Sequence, residues 1–191
     1  TGDSLHHVTV TPFRQLDLAL LNNTDLLVLN GLPEIPSGLA DAVRNFCRAG
    51  GSTVLFPGAR IDVASYNALL QREGIAYGAA DTSTTKVERI DLQQPFFRDV
   101  FTSMPRNVDL PTVQLRYAMR TPPVATALLQ LRNGAPFLAD VPVELGRLYV
   151  GAAPLAKAGG GFTEHALFVT SLLRMAELSG PMGDLYHIIG S

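Results

Sequence analysis

The sequence has a single cysteine, so it forms no disulfide within the chain and no metal site that needs two thiolates. Charge is scarce as well: 17% of residues are Asp, Glu, Lys or Arg, below the roughly 25% of an average soluble chain. Fifteen basic against seventeen acidic residues leave a net charge of −2. That balance is too even to draw in a polyanion, so nucleic acid is not an expected partner. No apolar run approaches the roughly 20 residues that cross a bilayer. The opening Thr1-Gly-Asp-Ser4 has neither the basic nor the apolar stretch of a secretory leader. Internal repeats and low-complexity tracts are also missing. What remains is 191 residues, 47% of them apolar, enough for one α/β domain with a sizeable core.

The first half reads as alternating strands and helices. Asp25-Leu-Leu-Val-Leu-Asn-Gly31 is a short apolar run ended by a turn signal, as in a strand buried on both faces of a parallel sheet. A helix over 36–51 places Leu39, Val43, Phe46 and Cys47 on one face, with Ser37 as N-cap and Gly50 as the left-handed stop. Ser52-Thr-Val-Leu-Phe-Pro57 is a second buried strand, and the intervening helix is the crossover that parallel neighbours need. Asp62 can cap a further helix striped by Tyr66, Leu69 and Leu70 and ended by Gly74. Upstream, 7–11 alternates like a strand and 14–21 predicts a short connecting helix.

From Thr82 the rhythm changes to antiparallel signals. Residues 86–91 read as a strand, Pro95 opens a short helix through Phe101, and Val113, Leu115, Tyr117 and Met119 alternate with polar neighbours. Strands over 127–131 and 135–139 flank Asn133-Gly134, a hairpin signal if both turn residues take positive φ. Gly146 then turns into a strand over 147–152. The run 163–180 predicts a helix apolar almost all round, capped by Thr163, stopped by Gly180 and therefore centrally buried. Residues 185–189 look like another strand. The expected organisation is one domain over 1–184, with 185–191 starting a following segment of a longer protein.

In open parallel sheets, ligands meet the loops after the strands' carboxyl ends. Those loops supply a candidate crevice of Asn30, Gly31, Gly58, Ala59, Arg60, Glu164 and His165. Arg60 and Lys157 are candidates to hold an anion there, and Glu164 and His165 to move a proton. The plain alternative is that Arg60 and Lys157 face solvent, Gly159-Gly-Gly161 is a flexible connection, and Glu164 is a first-turn acid favoured by the helix dipole. His6, His7 and His187 lack the spacing of a metal site, and no Gly-rich phosphate cradle follows a strand. Neither metal nor cofactor is expected. A covalent hydrolase needs Ser or Cys on the turn from strand to helix. That turn reads Pro57-Gly58-Ala59-Arg60-Ile61, and Cys47 lies on an apolar helix face where burial would leave it inert.

Two stretches, 25–57 and 146–175, carry the order strand, helix, Gly-Gly, strand and then a return to the sheet closed by a helix. In these the chain resembles the class I glutamine amidotransferase-like superfamily. More narrowly, Asn30-Gly-Leu-Pro-Glu-Ile-Pro-Ser-Gly-Leu39, Gly50-Gly51, Phe56-Pro-Gly58, Asn107-Val-Asp-Leu-Pro111 and His165-Ala-Leu-Phe-Val169 resemble a particular group. These are bacterial membrane proteins with an aerotolerance-regulator N-terminal domain. The resemblance implies a flavodoxin-like three-layer fold with a mostly parallel sheet and an antiparallel β-meander inserted in the second half. It also implies a soluble part of a cell-envelope protein, outside the bacterial inner membrane and attached through transmembrane helices elsewhere in the chain. Its partners would be other domains of that chain or envelope proteins. The superfamily's cysteine has no counterpart at Ala59, and its His-x-Glu pair is not reproduced by Glu164-His165. Three readings therefore stand: a non-catalytic ligand-binding or scaffolding domain, an assembly module, and a hydrolase-like enzyme without covalent nucleophile using Glu164, His165 and Arg60.

Overall fold

The computed structural model describes residues 7–90, 94–97, 110–179 and 185–190. In chain order its strands and helices begin with β1 (His7–Pro12), β2 (Leu26–Asn30), α1 (Ser37–Arg48), β3 (Ser52–Phe56) and α2 (Val63–Leu70). Then come β4 (Ala76–Asp81), β5 (Thr85–Ile90), β6 (Thr112–Val113), β7 (Arg116–Arg120), β8 (Thr126–Leu131) and β9 (Pro136–Val143). The chain closes with β10 (Gly146–Gly151), α3 (Ala166–Glu177) and β11 (Leu185–Gly190).

The βαβ unit forms as its sequence predicts. Strands β2 and β3 pair in parallel with Leu26 opposite Ser52, and α1 crosses between them. Their side chains divide between two cores. Leu27, Leu29 and Leu55 face α1 and α2, while Leu26, Val28, Val54 and Phe56 face α3. That is why the runs have no polar alternation. On α1, Leu39, Val43, Phe46 and Cys47 are all buried. Each large apolar side chain so buried contributes roughly 1.5–3 kcal/mol before conformational entropy is counted. Ser37 is the first helical residue rather than the cap, with Pro36 at the cap position. Gly50 has the positive φ, +110°, that lets its amide and that of Gly51 fold back onto the carbonyls of Cys47 and Phe46. Asp62 caps α2 by accepting from the Ala64 amide, and Gly74 ends the segment at φ +74°.

The sheet is not the mostly parallel, flavodoxin-like one expected. Its nine strands run β1-β11-β2-β3-β10-β9-β8-β5-β6. The four pairings from β1 to β10 are parallel and the four from β10 to β6 antiparallel. The separate pair β4-β7 is antiparallel too. Antiparallel pairings thus outnumber parallel ones, five to four, among the described residues. The reason is connection length. Strands β8, β9 and β10 are joined by hairpins, which reverse direction, whereas parallel neighbours need long crossovers. Strand β10 is the hinge of the arrangement, parallel to β3 on one side and antiparallel to β9 on the other.

Other local expectations also shift. The 14–21 segment forms two 3-10 turns, Phe13–Gln15 and Leu18–Asn23, instead of a helix. In the β8-β9 hairpin only Gly134 has positive φ. Its amide closes a turn onto the Leu131 carbonyl, so Asn133 stays in the ordinary region and Gly134 supplies the bulge. The α3 helix starts at Ala166, and Val169, Leu173 and Leu178 are 54, 47 and 42% exposed, so it packs on one face rather than centrally. The helix expected from Pro95 is a turn at 94–97; its continuation through Phe101 and the Gly180 stop lie outside the described residues. Strand β11 pairs between β1 and β2.

Candidate functional site

The carboxyl ends of β2, β3 and β10 and the approach to α3 enclose an open crevice of about 570 Å³. Asn30 and Gly31 line it from the first strand end, Pro57, Gly58 and Ala59 from the second. Pro154, Leu155 and Ala156 follow β10, and Thr163 and Phe168 close the far wall. The loops after β2 and β3 touch at its floor. A Cβ on Gly58 would lie 3.0 Å from the Gly31 carbonyl oxygen, so only glycine seats comfortably there. The Gly31 amide is bonded to the Phe56 carbonyl at 3.0 Å, fixing the first loop to the second strand.

Four of the seven candidate residues, Asn30, Gly31, Gly58 and Ala59, therefore meet on this crevice. Arg60, Glu164 and His165 are not among the residues lining it. Arg60 and Glu164 are exposed. His165 is the N-cap of α3, its Nδ1 accepting the Leu167 amide at 3.1 Å, a place expected for Thr163. Lys157, also exposed, sits in a 3-10 turn beyond the Pro154–Ala156 wall.

Ala59 occupies the loop between β3 and α2, exposed on the crevice wall. Cys47 is elsewhere. It is 2% exposed on α1, with its Sγ 3.3 Å from Thr53 Oγ1 and 3.4 Å from the Arg147 carbonyl, near the starts of β3 and β10. Burial pushes its thiol up to about 11, against a partly offsetting hydrogen bond to Thr53. A second groove of about 630 Å³ opens at the 18–25, 45–51 and Ser179 end of the sheet. It is larger than the crevice, but it lies at the amino ends of β2 and β3, away from the strand ends where loops converge in such sheets.

Three tyrosines hold the crevice loops, and nothing in the sequence periodicity marks them as a group. Tyr66 donates its hydroxyl to the Leu32 carbonyl at 2.6 Å, just past β2. Tyr117 donates to the Ala59 carbonyl at 3.2 Å, and Tyr77 to that of Gly151 at the end of β10. Their rings pack in series at a tilt, with centroids 5.9 Å apart for Tyr66 and Tyr77 and 5.8 Å for Tyr77 and Tyr117. Asn67 fixes the middle ring, its side-chain amide bonding both the amide and the carbonyl of Tyr77, at 2.8 and 2.9 Å. Burial raises all three phenols above their ordinary value, so they are neutral donors at physiological pH. The available signal was a polar tip on an aromatic residue in each apolar stripe, since a buried tyrosine hydroxyl usually finds a partner.

On the other side of the sheet Phe162 packs against Phe137 at 5.0 Å and Phe168 at 5.5 Å, so the crevice wall is backed by an aromatic cluster. Ser171, behind Phe168, is buried, and its hydroxyl has no hydrogen-bond partner among the described residues.

No family model matches the chain, and no curated protein matches it. Solved structures do. "Cytoplasmic Protein STM3548" from Salmonella typhimurium is similar over 85% of this chain and 74% of its own, at 11% identity and a TM-score of 0.65. The "mmIFT52 N-terminal domain" is similar over 87% and 82%, at 13% identity and a TM-score of 0.59. A β-galactosidase from Rahnella sp. R3 is similar over 81% of this chain, which spans 23% of that enzyme, at 20% identity and a TM-score of 0.53. At such identities the likeness is one of fold alone. The inner-membrane, extracytoplasmic placement is corrected by these findings. STM3548 and a second similar structure, "Cytoplasmic Protein STM1381" from Salmonella typhimurium LT2, are cytoplasmic proteins by name. Among the described residues no helix is long and apolar enough to cross a membrane.

Proposed function

We propose that the chain is a non-catalytic ligand-binding domain, a degenerate relative of the class I glutamine amidotransferases, working beside other domains of a longer polypeptide. The observation that carries this reading is Ala59. A methyl group stands on the crevice wall, in the turn from strand to helix where a covalent enzyme of this kind needs its nucleophile. The only thiol is buried near the opposite ends of the same strands. Support for the binding half comes from the crevice itself, whose volume falls within the roughly 300–1,000 Å³ of small-molecule sites. Its loops are tied by the tyrosine hydroxyls, which lowers the ordering cost of taking a ligand. Support for a domain within a longer chain comes from the β-galactosidase, in which a similar fold takes up 23% of the length.

The test is turnover. Purified protein incubated with L-glutamine and, separately, with p-nitrophenyl acetate should release ammonia and nitrophenol no faster than buffer. Saturable release that disappears in Glu164→Gln or His165→Gln would replace this reading with the enzyme that uses those residues.

A further inference from the structure

We propose that the crevice takes an uncharged, polyhydroxylated ligand, a mono- or disaccharide, in preference to a phosphate or a carboxylate. The inference rests on the ligand-binding reading above and names the chemical class of its ligand.

Charge is the first argument. None of the residues lining the crevice is ionisable. An anion entering it would shed water without gaining a counter-charge, a loss that an uncharged ligand does not face. Some of the features that usually offset that loss are occupied or missing. The N-terminus of α3 presents its Leu167 amide to the His165 imidazole instead of to the crevice. The Gly31 amide is bonded to Phe56, and two wall positions, Pro57 and Pro154, have no N–H to offer. Arg60 and Lys157 stay outside the lining, exposed to solvent.

The chemistry of the walls is the second argument. Their polar side chains, the Asn30 amide and the Thr163 hydroxyl, each donate and accept, as sugar hydroxyls do. On the same walls, the half-buried Phe168 and Leu155 present apolar surface that suits the C–H face of a pyranose ring. A flat apolar ligand would leave the amide and hydroxyl without a ligand partner, and a charged one would find no counter-charge in the lining. A ligand alternating hydroxyls with C–H groups satisfies both.

The test is a titration of the whole chain followed by backbone amide NMR. The neutral probes are lactose, cellobiose and methyl β-glucoside; the charged ones are inorganic phosphate and L-glutamine. A saturable shift on adding a sugar, confined to 30–31, 58–59, 155–156, 163 and 168, is the expected result. Asn30→Ala and Thr163→Ala should each weaken it about tenfold, which is about 1.4 kcal/mol. Thr163 is exposed, so its variant tests the contact without threatening the fold. Shifts at these residues from phosphate or glutamine alone would overturn the saccharide inference and leave a ligand-binding domain standing. Silence from every sugar also overturns it. Failure of the underlying reading has a separate signature, the turnover described above.

Discussion

Replacing Tyr77 by Phe tests whether the tyrosine series holds the crevice loops. The residue is 3% exposed and its ring keeps its tilted contacts with Tyr66 and Tyr117, so the change removes one hydroxyl and little packing. That hydroxyl is the donor to the Gly151 carbonyl, in surroundings with little access to water. A buried acceptor deprived of its donor costs about 1–3 kcal/mol. The same substitution removes a titrating group whose phenol is held well above 10 by burial and by the neighbouring tyrosines. In the unfolded chain it ionises near 10, so above that pH the unfolded state binds fewer protons than the native one. Its contribution to stability is therefore fully present below pH 10 and falls as the pH rises toward the folded value, by about 1.4 kcal/mol per unit. Urea unfolding followed by circular dichroism should show Tyr77→Phe less stable at pH 7, with an unchanged slope. The gap from the parent protein should narrow between pH 10 and 11, because only the parent pays this ionisation penalty. A loss below about 0.5 kcal/mol at pH 7, or a gap constant to pH 11, would refute the assignment.

Gly146→Ala should destabilise by about 3 kcal/mol or more, because this overpacking is against backbone rather than a flexible side chain. Its Cβ would fall 2.1 Å from the Gly51 carbonyl oxygen and 2.2 Å from that of Cys47, forcing β10 away from the end of α1; denaturant midpoints would reveal it. Ser171→Ala should raise stability by about 1 kcal/mol, since it deletes a buried hydroxyl with no partner among the described residues and adds helix propensity in α3. A lower melting temperature for this variant would mean that the hydroxyl is satisfied in solution. Cys47 should react with a disulfide reagent only as fast as the chain opens, because its thiol is buried and its proton held to about 11. Prompt labelling of the native protein at pH 8 would show that α1 does not seal it.

The parts of the fold legible in the sequence are those whose partners are close along the chain. Strands β2 and β3 are short apolar runs separated by one amphipathic helix, and the β8-β9 hairpin is announced by Asn133-Gly134, so local pattern suffices. Where β10 and β11 lie is a different matter. Strand β10 is placed beside β3, nearly a hundred residues earlier, and β11 between β1 and β2, by pairings that leave no local trace. Local pattern therefore announces the meander but not the balance of the sheet. The site divides the same way. Asn30, Gly31, Gly58 and Ala59 follow from strand ends, whereas each tyrosine hydroxyl finds its carbonyl 34, 58 or 74 residues away.

At α3 the difficulty is competition between local and tertiary demands. Thr163 is a good cap by residue type, but Phe162 beside it must be buried against Phe137 and Phe168. That burial holds Phe162–Glu164 in a 3-10 turn and delays the helix to Ala166, leaving His165, directly before it, to cap it. An imidazole whose Nδ1 is committed to the Leu167 amide is a poor choice for a base acting at that nitrogen. The Nδ1 of His165 thus serves the start of a helix whose register is set by the burial of one aromatic ring.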